Sequence, residues 1–310
     1  MNEYHTSGTA VLIAVYNGEK YLEEQLESLL GQTCTEWTAY IHDDGSSDRT
    51  PSVLQKYADR YPERFVLIGG PPAGTSRDNF FCLFGSVDAP RYMCCDQDDV
   101  WLPDKMEQTA RAMDALEGGE DLPCLVYTDL TVVDASLRVV AESMDRYQKL
   151  NCADAGISHV LVQNVVTGCT MMVNRRLRDM MLQAADPHAV IMHDWWAAMI
   201  ASQFGVIRYL DRPTILYRQH SENNTGAQKA GLRLYAGKLI RQKAEIQASL
   251  DAFRRQAEVF AETFPLPPDS VIAVYAGINT CPKWKRLRIY HKYKIRKTPI
   301  QRQLGILLFG

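Results

Sequence analysis

Two carboxylates one residue apart, Asp96 and Asp98, follow directly on the apolar run Tyr92-Met93-Cys94-Cys95, and Asp99 comes next. At the end of a strand, carboxylates spaced in this way can share one hard divalent cation. Mg²⁺ or Mn²⁺ prefers such oxygen ligands and commonly bridges substrate phosphates. Two more polar clusters stand behind apolar runs: Tyr16-Asn17-Gly18-Glu19 after residues 10–15, and Asp43-Asp44-Gly45-Ser46-Ser47-Asp48 after residues 37–42. Any one of them reads equally well as a helix cap in a solvated turn. Three at one sheet edge would repel one another unless a cation or hydrogen-bond donors met them. The sequence has no G-x-x-x-x-G-K-[ST] loop and no G-x-G-x-x-G after the first apolar run. Phosphates would therefore be met by metal rather than cradled by glycines, which removes the main support for a P-loop NTPase or a dinucleotide-dependent redox enzyme.

The elements that must position these residues follow from the hydrophobic pattern. Ala10 to Val15 is a continuous apolar run, as expected of a buried parallel strand. Glu19–Leu30, Asp48–Tyr61 and Pro103–Leu116 have helical spacing, with Ser47 or Asp48 as a cap and Pro103 in a first turn. Trp37–His42, Phe65–Ile68 and Arg91–Cys95 read as further strands. This alternation predicts an α/β fold with a mainly parallel central sheet flanked by helices. Ligands of such sheets bind beyond the carboxyl ends of the strands, where the three clusters fall. Later, Leu125–Thr128 and Cys169–Val173 read as strands, Arg175–Ala184 and Trp195–Phe204 as helices, and Val206–Leu210 with Thr214–Tyr217 as a β pair. A long charged helical pattern runs from Ala230 to Thr263, which sets a boundary near residue 228: a domain over 1–228 and a helical C-terminal extension over 229–310.

The 310 residues are 46% hydrophobic and 23% charged, proportions that exclude disorder and fibrous classes, and no apolar run is long enough to cross a bilayer. The eight cysteines form no C-x-x-C pair and no zinc spacing, so a reduced, cytosolic protein is expected. The formal charge of -3 hides an asymmetry. Residues 283–310 carry nine basic side chains and no acidic one, leaving 25 basic against 37 acidic residues in 1–282.

Taken in order, these segments resemble the family 2 glycosyltransferases of the GT-A, Rossmann-like fold. The resemblance rests on VLIAVYNGEKYLEEQLESLLGQT (11–33), DDGSSDRT (43–50), CDQDDVWLPDKM (95–106), TGCTMMVNR (167–175), HDWW (193–196) and YRQH (217–220), and it covers roughly residues 9–226. Within the family the HDWW and YRQH-S-x-N-N patterns are similar to bacterial polysaccharide enzymes, rhamnosyltransferases among them. The resemblance implies that Val15, Tyr16 and Glu19 line the base and ribose pocket, that Asp44 bonds the base edge, and that Arg77, near Asn79, contacts the donor; turn residues at Tyr16 and Asn17 and a surface pair at Arg77 are the alternatives. It implies Asp96 at the ribose or the metal's water shell, Asp98 on the metal, and Asp99 beside the sugar. Asp194 is the candidate general base, since apolar surroundings can raise a carboxylate into the working range; an N-cap is the alternative. Trp195 and Trp196 read as a sugar platform or as core packing. Relatives carry Glu-Asp where this chain has His193-Asp194. His220 reads as a further metal ligand, a diphosphate contact or a hydrogen-bonded loop histidine, and Asn223, Asn224 and Thr225 as a loop over the donor.

The implied reaction is inverting, metal-dependent transfer from a UDP- or dTDP-sugar to a saccharide or lipid-linked acceptor of a bacterial surface polysaccharide. The alternatives are a nucleotidyltransferase, for which an early basic glycine-containing loop is missing, and a non-catalytic nucleotide- or sugar-binding module. The Q-x-x-R-W motif of the family's processive synthases is absent. The basic tail mixes Lys and Arg with Trp284, Tyr290 and Leu304–Phe309, which suits a peripheral contact with the inner leaflet; a solvated or oligomeric helix is the rival, and nucleic acid is not expected.

Overall fold

The computed structural model describes residues 4–119, 121–220 and 243–309. The first half builds the expected parallel strands: β1 (Thr9–Val15), β2 (Trp37–Asp43), β3 (Phe65–Leu67) and β4 (Arg91–Cys95), followed by the short β5 (Val100–Trp101). Then come β6 (Cys124–Val133), β7 (Val139–Ala141), β8 (Met171–Asn174) and β9 (Val206–Arg218). The sheet order is β3-β2-β1-β4-β8-β6-β9-β5, with β7 on β6. From β3 to β4 every pairing is parallel. From β8 onward the pairings are mixed: β8 is antiparallel to β4 and β6, β9 is parallel to β6, and β5 is antiparallel to β9. The predicted parallel arrangement thus describes one half of the sheet. A separate two-stranded ribbon joins Tyr4–His5 to Val87–Asp88.

Alternation along the strands sends side chains to two cores. Val11, Ile13 and Val15 pack with Leu22, Leu26 and Leu29 of α1 (Leu22–Leu30), with Leu54 of α2 (Thr50–Arg60) and with Met106 and Met113 of α4 (Lys105–Glu117). Ala10 and Leu12 face the other way, onto Phe80, Leu83 and Phe84 of α3 (Ser76–Ser86). Burial on both faces is why residues 10–15 lack polar alternation. The sequence pattern did not predict α3; its N-cap is Thr75, which accepts from the Asp78 N–H.

Several predicted elements differ from the outcome. Val206–Leu210 and Thr214–Tyr217 are not a pair but parts of the single strand β9, which follows β6 through two register shifts around Pro213, where the ring removes a ladder donor. Cys169 lies in the 3₁₀ turn Gly168–Thr170 that precedes β8. Pro103 stands before α4, whose N-cap is Asp104. The N-cap of α2 is Arg49, not Ser47 or Asp48 as predicted; Asp48 instead accepts from Thr50 N at 2.9 Å and from Glu19 N at 3.2 Å, tying two loops together.

Helix α5 (Met144–Gln148) adds Met144 to the first core, while the second face is closed by α6 (Ile157–Val160), α7 (Arg175–Met181), α8 (His193–Phe204) and α9 (Lys243–Thr263), then α10 (Val271–Ala276), α11 (Lys283–Lys292) and α12 (Ile300–Phe309). Helix α9 lies against α8, with ring centroids 5.0 Å apart for Trp195–Phe253 and 5.2 Å for Trp196–Phe260. Leu250, Phe253, Phe260, Ile272 and Tyr275 belong to the same core as Leu12 and Phe80, so the extension and the first domain share one interior. The boundary placed near residue 228, the start of the pattern at Ala230, and Asn223, Asn224 and Thr225 lie outside the described residues.

Candidate active site

The carboxyl ends of β1, β2 and β4 and the end of β9 converge. The loop after β1 and the loop after β2 clasp each other. Asn17, in the left-handed region at φ 48°, donates its N–H to Ser46 Oγ at 2.7 Å and accepts from Ser47 N at 2.8 Å. Gly18 N donates to Thr50 Oγ1 at 2.8 Å, and Glu19 accepts from Arg49 N at 2.8 Å. The loop after β1 is also fastened to the acidic segment after β4. Gln97, between the two paired aspartates, accepts from Tyr16 N at 2.8 Å and donates to Tyr16 O at 2.9 Å. A Cβ on Gly18 would stand 2.7 Å from Gln97 Oε1, so a larger residue there would displace this amide. With its backbone held at both atoms, Tyr16 keeps its ring 56% exposed, unusual for an aromatic side chain and open to a stacking partner.

The other residues predicted for the nucleotide are placed as follows. The Val15 side chain is buried in the core, and its carbonyl accepts from Asp44 N at 2.8 Å, so only its backbone borders the site. Glu19 is taken up by Arg49. Asp44 accepts from Gly74 N at 3.0 Å and from Ala73 N, holding the loop that leads into α3. Arg77, predicted to contact the donor, is clamped instead. It forks onto Asp78 at 2.9 Å and donates to the carbonyls of His188 and Val190. Asn79 is buried against His42, with Oδ1 2.9 Å from Nδ1.

The paired carboxylates come together with β9. His220 Nε2 lies 2.7 Å from Asp98 Oδ2. Arg218 holds this junction: it donates from Nε to the Asp98 carbonyl at 2.8 Å, from its backbone N–H to Asp99 Oδ1 at 3.1 Å, from a terminal nitrogen to Ala135 O, and to Glu24. Its guanidinium also lies 4.4 Å from the centre of the Tyr21 ring, and Tyr21 in turn meets the His220 ring at 5.0 Å. Nothing in the sequence marked Arg218 beyond its place in YRQH. Asp99 was predicted beside the sugar. It is fully buried beneath Asp96 and Asp98, and this anchoring of β9 is its observed work.

The chemistry of the donor set fits a hard cation at Asp98, with Asp96 and His220 as companions. Asp96, Asp99 and the Cys169 thiol also bring ligand atoms within 4.8 Å of one another. Burial and the neighbouring carboxylates push the Cys169 thiol well up, which keeps it protonated and makes it a poor ligand. Burial, then the charges of Asp98 and Asp194, push Asp96 up to about 7, the state of a carboxylate that a cation would relieve. Lys105 is fully buried in α4 with its ammonium 4.5 Å over the Trp101 ring; burial holds it down to about 8, against the pull of neighbours that include Cys169 and Asp99.

Asp194 lies in the first turn of α8, whose N-cap is Met192, so the capping alternative does not apply. Its Oδ2 accepts from Gly168 N at 3.0 Å; its Oδ1 accepts from Asn164 Nδ2 at 3.0 Å and from Trp195 N at 2.6 Å. Burial pushes it up to about 7 against the pull of these donors. The 3₁₀ turn therefore joins two stations: Gly168 holds Asp194, while Cys169 touches Asp96 and Asp99. Gly168 is needed there, since a Cβ would stand 2.8 Å from His193 Nε2. His193 is buried 4.1 Å from the Phe80 ring centre, and burial pushes it down to about 3, so it is neutral. Trp195 and Trp196 are core residues, 8% and 0% exposed, with indole N–H groups donating to Val160 O and Met181 O. Packed against α9, they leave no face for a sugar.

Residues 10–120 match the family described as Glycosyl transferase family 2. A dTDP-rhamnosyl transferase, RfbG of Shigella flexneri, is 27% identical over 229 residues, 69% of this chain and 74% of that one. Other glycosyltransferase relatives, from Rickettsia, are matched over about half of their own length. Among solved structures, S. aureus TarS 1-349 in complex with UDP-GlcNAc aligns over 96% of this chain and 89% of its own, with TM-score 0.51 and 15% identity. The mannosyltransferase PcManGT from Pyrobaculum calidifontis, in complex with GDP-Man and Mn2+, aligns over 98% and 88%, with TM-score 0.50 and 14% identity. Likeness at that identity is likeness of fold, here the GT-A fold.

Proposed function

We propose that the chain, whose residues 10–120 match the family 2 glycosyltransferases, transfers a deoxyhexose of the rhamnose type from a nucleotide-sugar donor, UDP- or dTDP-linked, to a saccharide or lipid-linked acceptor in bacterial surface polysaccharide assembly, with inversion. The observation that carries this reading is the turn Gly168–Cys169, which sets a buried, donor-held carboxylate, Asp194, beside the Asp96–Asp98 pair. The exposed Tyr16 ring supports a base-stacking role, with the clasped loops after β1 and β2 as the rigid floor of the nucleotide site.

Asp194 acts as the general base. Burial raises its proton affinity toward that needed to accept a hydroxyl proton, and Asn164 Nδ2 with the Gly168 and Trp195 N–H groups fix where that proton arrives. The acceptor oxygen, losing its proton to Asp194, attacks the anomeric carbon from the face opposite the nucleotide, which inverts the configuration. A divalent cation held by Asp98, with Asp96 and His220 beside it, would supply positive charge to the leaving diphosphate. His220 and Arg218 tie β9 to that edge, so the end of the sheet keeps the donor's diphosphate side in place.

The test is thermal stabilisation by UDP, dTDP, GDP, CDP and ADP with and without Mn²⁺, followed by transfer assays. A ligand that binds only the folded state raises its apparent stability. A metal-dependent shift for UDP or dTDP, together with transfer lost in Asp98→Ala and Asp194→Asn, is the expected result. No shift for any nucleotide, or full activity in both variants, would overturn the assignment.

A further inference from the structure

The C-terminal 27 described residues differ from the rest of the surface. Across the described residues, the exposed large apolar side chains are Tyr16, Val139, Val140, Leu182, Trp284, Ile300, Leu304, Leu307 and Leu308. Five of these nine lie between Trp284 and Leu308, so chance scatter does not account for them. Helix α12 is amphipathic in the inverted sense. Gly305 and Ile306 face inward, Gly305 against Ile246 of α9, while Ile300, Leu304, Leu307 and Leu308 share the outer face at i, i+4, i+7, i+8 spacing. On α11 the exposed positions are Lys283, Trp284, Lys285, Arg288, His291 and Lys292, with no acidic side chain anywhere in 283–309. Lys283 Nζ donates to Leu308 O at 2.8 Å, bringing the start of the basic helix to the end of the apolar one.

From this juxtaposition we infer that α11 and α12 together form a docking face for an anionic lipid bilayer. The partner follows from the two chemistries side by side. Lys and Arg meet a negative surface, Trp284 suits the headgroup layer, and a stripe of leucine and isoleucine needs hydrocarbon, which a nucleic acid does not offer. A like-charged second copy would repel at the same basic residues. The inference deepens the proposed function by placing the enzyme where a lipid-linked acceptor lies, but it stands on surface chemistry alone and is tested without donor or acceptor.

The experiment is co-sedimentation of the full chain with vesicles of phosphatidylcholine alone or with about one third phosphatidylglycerol, combined with tryptophan emission. The other four tryptophans are at most 8% exposed, so a blue shift on vesicles reports Trp284, which is 59% exposed. Binding should require the anionic lipid, weaken with salt, and fall about fivefold for each of Lys285→Gln and Arg288→Gln. Leu307→Ser with Leu308→Ser should lower it roughly tenfold or more. These residues are exposed, so thermal unfolding and nucleotide binding should stay unchanged, and Trp284→Phe should remove the blue shift while leaving sedimentation largely intact. Equal binding to neutral vesicles, no binding, a dimer in light scattering dissolved by the leucine variants, or binding only of a labelled single-stranded oligonucleotide would each overturn the inference. Vesicle binding without nucleotide binding would instead leave the docking face standing and remove the donor site.

Discussion

The two acidic stations of the site are built on opposite terms. Asp98 is half-buried at the end of the parallel half of the sheet, with His220 beside it and Asp96 and Asp99 as like-charged neighbours. Asp194 is buried in the first turn of α8 and takes three donors from the protein. One station sets three carboxylates, Asp96, Asp98 and Asp99, against one another; the other is a single carboxylate served by three hydrogen bonds. The difference teaches what each is for. Carboxylates gathered against one another fit a cation brought with the substrate, whereas a carboxylate held by donors and lifted by burial fits the gain and loss of a proton.

The widest break in that comparison comes from removing each acid in turn. Asp98→Ala should lower transfer about 10³-fold or more and abolish Mn²⁺-dependent nucleotide binding. Asp194→Asn, which keeps shape, should lower turnover by roughly 10²–10⁴-fold while leaving nucleotide binding intact. Calorimetric titration of UDP or dTDP with Mn²⁺ against both variants separates the stations; loss of binding in Asp194→Asn would merge them. The same contrast appears in the pH profile. With saturating Mn²⁺, turnover should fall tenfold per pH unit below about 7 as Asp194 takes up its proton, and level off above it.

Arg218 makes the first station possible, and its removal is the next largest effect. Its buried guanidinium meets Glu24, two carbonyls and the Tyr21 ring, so Arg218→Met leaves those acceptors unserved and should cost about 3–5 kcal/mol of stability. Urea unfolding checks this, and a loss below about 1 kcal/mol would show that β9 is held to the metal loop by other means.

His193 and Asp194 are neighbours with opposite linkage to pH. Asp194, raised to about 7, favours the folded state at low pH and loses that contribution as pH rises through about 7. His193, lowered to about 3, does the reverse: the unfolded chain takes up a proton near pH 6.5 that the folded one refuses until about 3, so stability falls as pH drops through that window. His193→Leu should therefore gain about 2 kcal/mol at pH 5 relative to pH 8, measured as a change in the pH dependence of the unfolding midpoint.

The parallel half of the fold was legible because each strand there is a short apolar run ended by polar residues, and it is in this half that the Asp96–Asp98 pair falls. The rest was hidden for physical reasons. Helix α3 has apolar residues clustered rather than spaced on one face, so its period is faint. Strand β9 carries Pro213 at a register shift and reads as two pieces. Trp195 and Trp196 read as a sugar platform or as core because sequence does not say which surface an aromatic meets, and here α9 covers them. Arg77 looked free for a donor until Asp78 and two carbonyls claimed it.

Gln97 sharpens the comparison at its finest. Lying between the two paired aspartates, it offered no charge and read as a spacer, yet its amide makes both hydrogen bonds that fix the Tyr16 backbone. It belongs to the cation station by sequence and to the nucleotide floor by contact. Gln97→Ala should remove two hydrogen bonds worth about 1 kcal/mol each and free the Tyr16 loop, while Asp96 and Asp98 stay in place. The expected outcome is a rise of several-fold in donor KM with kcat and the Mn²⁺ requirement little changed, and recovery in Gln97→Glu only where the new acid is protonated, since both ends of the pair are then restored. A fall in kcat with unchanged donor KM would mean that Gln97 serves the carboxylates rather than the loop, and the two halves of the donor edge would then be one unit instead of two that meet at a single side chain.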